Sequence, residues 1–210
     1  MGNDQAMTKT SRHVIAPVMK WVRVILSLVF VSSLAACGRS DKPWHATDIT
    51  GAMPRLAFHM TRATDGAPVT AADYRGRVTL LYFGYTNCPD ICPTTLANLA
   101  DMLDRLGSDA DRVRVLFVTV DPNRDTLPIL KKYTAAFAPQ IDGLRGTDNA
   151  LTELARRYRV IYSVKTKPTY EVMHSSAVFF FDSEGRARLV TLTTDDAVGL
   201  AQDVKRLLRE

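Results

Sequence analysis

The strongest chemical signal in this chain is a pair of thiols four residues apart. They lie in Cys88-Pro89-Asp90-Ile91-Cys92-Pro93, directly after the apolar run Val78 to Tyr85. A β-rich run, a loop bearing two thiols and a proline that opens a helical pattern together place sulfur beside a helix N-terminus. The unpaired N–H groups and partial positive charge there favour thiolate over thiol. A thiolate is both a redox nucleophile and a soft-metal ligand, and the spacing alone permits either use. A purely structural disulfide here would close a very small loop and constrain the unfolded chain little. The pair therefore reads as chemical rather than structural.

The elements that position it follow from periodicity. Leu56 to Thr61 reads as a first strand, turned by Asp65-Gly66-Ala67-Pro68, and Thr70 to Asp73 as a short helical turn. Arg77 to Tyr85 is apolar enough throughout to lie inside a sheet. Leu96, Leu99, Ala100, Leu103 and Leu106 recur at helical steps, which predicts an amphipathic helix over 93–106. Val113 to Val120 reads as the next buried strand. Thr126 opens a helix to about Phe137, with Pro128 tolerable in its first turn. Asp148 caps another helix, whose inner face is Leu151, Leu154, Ala155 and Tyr158, and Val160 to Val164 is a short strand. Ser176 to Phe181 and Ala187 to Leu192, joined by Asp182-Ser183-Glu184-Gly185, form a hairpin, and Ala197 to Leu208 is the last helix. The expected fold is α/β, a central mixed sheet flanked by helices. A cysteine pair between the first long strand and its helix makes it thioredoxin-like. The additional first strand and an insert around 123–150 place it in the peroxiredoxin-like branch.

The N-terminal region has a different character. Lys20 and Arg23 precede the apolar stretch Val24 to Ala36, which ends Leu34-Ala35-Ala36-Cys37-Gly38. A basic start, a short apolar core and small residues before a cut describe a secretory signal, too short for a comfortable membrane span. The ending resembles a bacterial lipobox, which implies cleavage before Cys37 and lipid attachment there. Met19-Lys20 makes a compact start for such a signal, with residues 1–18 upstream of it. The expected organisation is signal 1–36, lipidated Cys37 and tether 37–54, and one domain 55–210. The protein is then extracytoplasmic and lipid-anchored, periplasmic in a Gram-negative host, with Gly38 after the cysteine favouring the outer membrane.

The 210 residues are 46% hydrophobic and 23% charged, as in an ordinary globular protein. Of the net charge of +5, much belongs to the signal: residues 37–210 hold 23 basic against 21 acidic side chains, a net of +2. No basic run in that part points to a nucleic-acid partner. With Cys37 lipidated, Cys88 and Cys92 remain as a closed pair.

Three segments in order are similar to a known family. Tyr82-Phe83-Gly84-Tyr85-Thr86-Asn87-Cys88-Pro89-Asp90-Ile91-Cys92-Pro93 resembles the signature of the Sco/SenC family, copper-binding assembly factors of cytochrome c oxidase. Val118-Thr119-Val120-Asp121-Pro122-Asn123-Arg124-Asp125-Thr126 resembles that family's second motif. His174-Ser175-Ser176, 82 residues beyond Cys92, resembles its third. The resemblance implies copper as the cofactor, with Cys88, Cys92 and His174 as its ligands. Two soft sulfurs and one imidazole suit Cu(I), and the same set resembles a trigonal one that tolerates Cu(II). Zinc in a closed structural site takes a fourth ligand. The family pattern also suggests a carboxylate near the metal at Asp121, whose competing reading is a turn residue before Pro122. Asp90 either faces a partner or starts the turn, and Phe83 and Tyr85 read as core. His45, in the tether, and His59, in the first strand, belong to no motif. One departure stands out: Met173 precedes the histidine where family members commonly have Asp, which alters local charge. A thioether is a weak copper ligand, but Met173 reads as packing.

The resemblance implies a copper chaperone that delivers copper to, or prepares the thiols of, the dinuclear copper site in subunit II of cytochrome c oxidase. A thiol reductant or a copper donor protein would be a further partner. The competing reading is a thiol–disulfide oxidoreductase in which Cys88 and Cys92 are the redox pair. Against it stand the Cys-x-x-x-Cys spacing and His-Ser-Ser where such reductases usually carry a cis-proline. Peroxide reduction at Cys88 lacks the Thr-x-x-Cys approach that peroxiredoxins share.

Overall fold

A computed structural model describes residues 43–210. The expected signal, the start at Met19 and the lipid site at Cys37 lie outside the described residues. In chain order the elements are β1 (Thr47–Asp48), β2 (His59–Arg62), β3 (Pro68–Thr70), β4 (Val78–Gly84), α1 (Ile91–Leu106), β5 (Val113–Thr119) and α2 (Leu127–Ala135). There follow β6 (Ile141–Arg145), α3 (Asp148–Arg157), β7 (Tyr162–Lys165), β8 (Glu171–His174), β9 (Val178–Phe181), β10 (Ala187–Thr191) and α4 (Ala197–Leu207). Among the described residues no helix is long and apolar enough to cross a membrane.

All seven residues of β4 are buried, and in β5 Arg114 alone is not, because these strands form the centre of the sheet. They pair in parallel from Val78 with Val113 to Gly84 with Thr119, so both strands end at the same edge. β6 continues the parallel set beside β5, and β9 runs antiparallel to β4 on its other side. The full order is β1-β10-β9-β4-β5-β6-β2-β3, a mixed sheet. β7 and β8 form a separate two-stranded ribbon. Helix α1 turns Leu96, Leu99, Met102, Leu103 and Leu106 inward, the predicted face, and packs with α4. Thr147, rather than Asp148, caps α3 by accepting the Ala150 N–H. The β9–β10 hairpin forms as expected, with Gly185 in its turn at φ 71°, a conformation that favours glycine.

Three departures from expectation have physical causes. The insert around 123–150 contains a strand that the sequence pattern does not mark. It holds α2 and then β6, a strand disguised by Asp142 and Gly143. Gly143 is needed there, since a Cβ would sit 3.2 Å from the Leu130 Cβ of α2. The partner of β7 is β8, a short polar strand that apolar periodicity does not mark. Finally, the packed unit begins at Trp44, so residues 44–54 are not a free tether. Thr47 and Asp48 pair with Val190 and Leu189, and Ala46 is buried. Asp203 of α4, itself buried, accepts the His45 and Ala46 backbone N–H groups at 3.0 and 2.8 Å.

Asp203 is thus the anchor of the N-terminal segment. Asp203→Ala leaves the buried Ala46 donor without an acceptor, a loss that costs about 1–3 kcal/mol, and frees the His45 donor as well. Urea unfolding of the variant should show a lower midpoint, and amide exchange at residues 45–48 should speed up most.

Candidate metal centre

The site grows out of the shared edge of β4 and β5. At Gly84, the last residue of β4, a Cβ would lie 2.5 Å from a ring carbon of Phe117 and 3.0 Å from Cys92 Sγ. Only a residue without a side chain lets the strand end sit this close beneath the sulfur. The loop that follows is tied down by Asp125, a fully buried carboxylate. Thr86 donates to it through its backbone N–H at 3.0 Å and its hydroxyl at 2.6 Å, and the Thr119 hydroxyl donates at 2.6 Å. Asp90 holds the N-cap position of α1 but its side chain makes no capping bond. Cys88 takes that part: its Sγ accepts the Cys92 backbone N–H at 3.4 Å.

His174 arrives from the other direction, at the end of β8 and opposite Tyr162 of β7. Its ring meets Tyr85 and Tyr82 edge-on, at centroid distances of 5.7 and 6.0 Å. Nδ1 lies 2.9 Å from the Ser175 carbonyl oxygen. A carbonyl can only accept, so Nδ1 carries the proton and Nε2 presents its lone pair. Nε2 is 3.1 Å from Cys92 Sγ. The two sulfurs and a ring nitrogen of His174 all lie within 4.8 Å of one another. Both cysteines are free thiols.

The two sulfurs are electrostatically unlike. Burial resists ionisation at Cys88, but the backbone N–H groups of Asp90 and Cys92 and neighbouring side-chain donors outweigh it, and its pKa falls below the ordinary thiol value. Burial dominates at Cys92, which is fully enclosed, and its pKa is pushed up to about 12. Burial also lowers the pKa of His174, with the Ser175 carbonyl opposing, so the imidazole is neutral at pH 7. A thiol biased toward ionisation, a thiol held protonated and a neutral imidazole therefore face a common point. This donor set fits a soft ion of low coordination number such as Cu(I). Among the described residues no carboxylate, and no further histidine or cysteine, joins the three to make the four-ligand shell of structural zinc.

Asp121 is buried at the end of β5 and stands outside the converging donors. Its carboxylate accepts from Arg124 Nε and from the Tyr170 hydroxyl, each at 2.5 Å, while its backbone carbonyl accepts the Arg124 and Asp125 N–H groups in a turn. Phe83 and Tyr85 are both core, as expected, and Tyr85 also borders the site. Met173 is 66% exposed, so it is not packing. With Tyr85, Asn87, Pro89, Arg124 and Tyr170 it lines a cleft of about 430 Å³ beside the thiol loop. His45 faces Asp196 at 3.3 Å and His59 is exposed on β2, and neither joins the group. Asp125 and Tyr170 are the residues that motif reading passes over. Asp125 was within the second motif, but only the fold brings it to Thr86.

Comparison with known proteins agrees with this geometry. The SCO1/SenC family model matches residues 53–209. The chain belongs to the SCO1/SenC family. Among its relatives, the mitochondrial SCO2 homolog of Mus musculus is 38% identical over 125 residues, covering 57% of this chain and 49% of that protein. The chain spans about half the length of the first curated relatives it matches. Bradyrhizobium japonicum ScoI, solved with copper bound, superposes with a TM-score of 0.65 at 34% identity, covering 73% of this chain and 99% of that one. Apo Sco1 from Thermus thermophilus gives 0.72 at 30% identity, covering 80% and 99%. The fold is therefore the thioredoxin-like one of these Sco structures.

The inequality of the thiols has a measurable outcome. Brief alkylation of the reduced protein at pH 7, read by mass spectrometry, should label Cys88 well before Cys92. Cys92 should gain reactivity only as the solution is made strongly alkaline, since its thiolate is suppressed up to about pH 12. Equal labelling at pH 7 would contradict the assigned environments. For the loop, Asp125→Ala leaves the buried Thr119 hydroxyl and the half-buried Thr86 donors without their acceptor, and a donor stranded in this way costs about 1–3 kcal/mol. Chemical denaturation should show a loss of that size, with Asp125→Asn recovering part of it.

Proposed function

We propose that this chain is a copper chaperone of cytochrome c oxidase assembly, with Cys88, Cys92 and His174 as the ligands of the carried ion. The observation that supports this reading most is the convergence of two sulfurs and a neutral ring nitrogen within 4.8 Å. Family membership and the similarity to a Sco protein solved with copper bound point the same way. Copper is the cargo. Cys88 offers the first thiolate, at the less buried sulfur and aligned by the start of α1. Cys92 must shed its proton as the ion settles, and His174 completes the set through Nε2. Because a proton leaves, affinity rises with pH well below the pKa of about 12 at Cys92.

In this reading the acceptor is the dinuclear copper site of oxidase subunit II, reached by stepwise exchange of thiolates and imidazole between the two proteins. The ion can bind only to reduced sulfurs, so a thiol reductant or a copper donor protein serves the chain in an oxidising compartment. Lipid at Cys37 holds the domain on the outer side of a membrane, after removal of residues 1–36. A second reading, thiol–disulfide exchange, is favoured by one observation: Cys88 has the lowered pKa of an attacking thiol and Cys92 the buried, protonated state of a resolving one.

Titrating the reduced protein with Cu(I) against a chromophoric chelator decides between them. One ion per chain is expected. Cys88→Ser, Cys92→Ser and His174→Ala should each weaken binding by more than the roughly 10–100-fold that follows loss of a residue merely supporting a ligand. Undiminished affinity in His174→Ala, with disulfide-reductase turnover lost only in the cysteine variants, would move the assignment to the enzyme.

A further inference from the structure

His174 belongs to the β7–β8 ribbon, which is not part of the eight-stranded sheet that carries the thiols. Something must hold the ribbon in register against the body. Along β8 the burial alternates: Val172 and His174 are half-buried, and Glu171 and Met173 are exposed. Tyr170, just before the strand and also half-buried, continues the inner set, so residues 170, 172 and 174 share one face. Val172 packs on the core between the two ends. At one end Nε2 of His174 meets Cys92, and at the other the Tyr170 hydroxyl donates to Oδ1 of Asp121 at 2.5 Å.

The Asp121 end is built as a mooring. The carboxylate is fully buried, and its other oxygen is taken by Arg124 Nε at 2.5 Å. The Arg124 guanidinium lies 3.7 Å from the centroid of the Tyr170 ring and 6.0 Å from that of Tyr85, which is itself edge-on to His174. Stacked cation, buried anion and phenol form a closed set of three in which the phenol alone comes from the ribbon side. A one-residue slip of β8 would turn His174 to solvent and bring Met173 inward, because strand side chains alternate.

We propose that Tyr170 is the positioning residue for His174: its hydrogen bond to Asp121 fixes the register of β8 and so keeps the imidazole over the thiols. This rests on reading His174 as a copper ligand, and the test separates the two. Tyr170→Phe keeps the ring on Arg124 and removes only the donor. A hydrogen bond to a charged acceptor converts to roughly a tenfold change in an equilibrium. Cu(I) affinity of the reduced full chain, measured by chelator competition, should fall about that much in Tyr170→Phe and stay unchanged when the same substitution is added to His174→Ala. No loss in the first background, or an equal loss in both, overturns the proposal. The metal-free protein supplies an independent arm. Amides of residues 162–175 should exchange about tenfold faster in Tyr170→Phe while those of β4 and β5 keep their protection. An unchanged ribbon, or acceleration throughout the chain, overturns it. If His174→Ala binds copper undiminished, the ligand reading fails and the exchange arm still decides the mooring.

Discussion

A carboxylate cut off from water must be met by donors, and at the end of β5 two such groups stand four residues apart. Asp125 collects Thr86 and Thr119, and Asp121 collects Arg124 and Tyr170. One short turn therefore reaches both ways, to the loop with Cys88 and to the ribbon with His174. The parallel pairing of β4 with β5 delivers that turn to the right edge, and Arg145 of β6 braces it by donating twice to the Pro122 carbonyl. Replacing such pairs with apolar residues can leave stability unchanged. Their value here is directional, since hydrogen bonds specify angles and apolar packing does not.

The same edge makes the sulfurs inequivalent. Cys88 sits where backbone N–H groups point, and Cys92 sits one helical turn deeper against Gly84, Tyr82 and Phe117. Burial and amide donors act in opposite directions on a thiol, and the four-residue spacing gives one of each outcome. That pattern serves a metal carrier and a disulfide exchanger alike, which is why the neutral imidazole, rather than the thiols, separates the two readings.

Elements with unbroken periodicity were legible from sequence: β4, β5, α1, the β9–β10 hairpin and α4 all form where apolar spacing predicts. β6 was hidden by Asp142 and Gly143, which are there because Tyr74 needs an acceptor and α2 needs room. β8 was hidden because half of its residues face solvent. The N-terminal segment read as a tether since its attachment is a tertiary one, to a carboxylate on the last helix. At the site, the three donors were legible from motifs, but what aligns them was not. Besides near neighbours, Asp125 meets Thr86, 39 residues away in sequence, and Asp121 meets Tyr170, 49 residues away, and no local pattern encodes such meetings.

The ribbon and the sheet are joined at the site by groups from opposite ends of a long stretch of chain. In the proposed reading, an ion shared between Cys92 and His174 would be a staple across 82 residues, restraining the unfolded chain much as a disulfide of that span does. Handing the ion over is then also an act of unfastening.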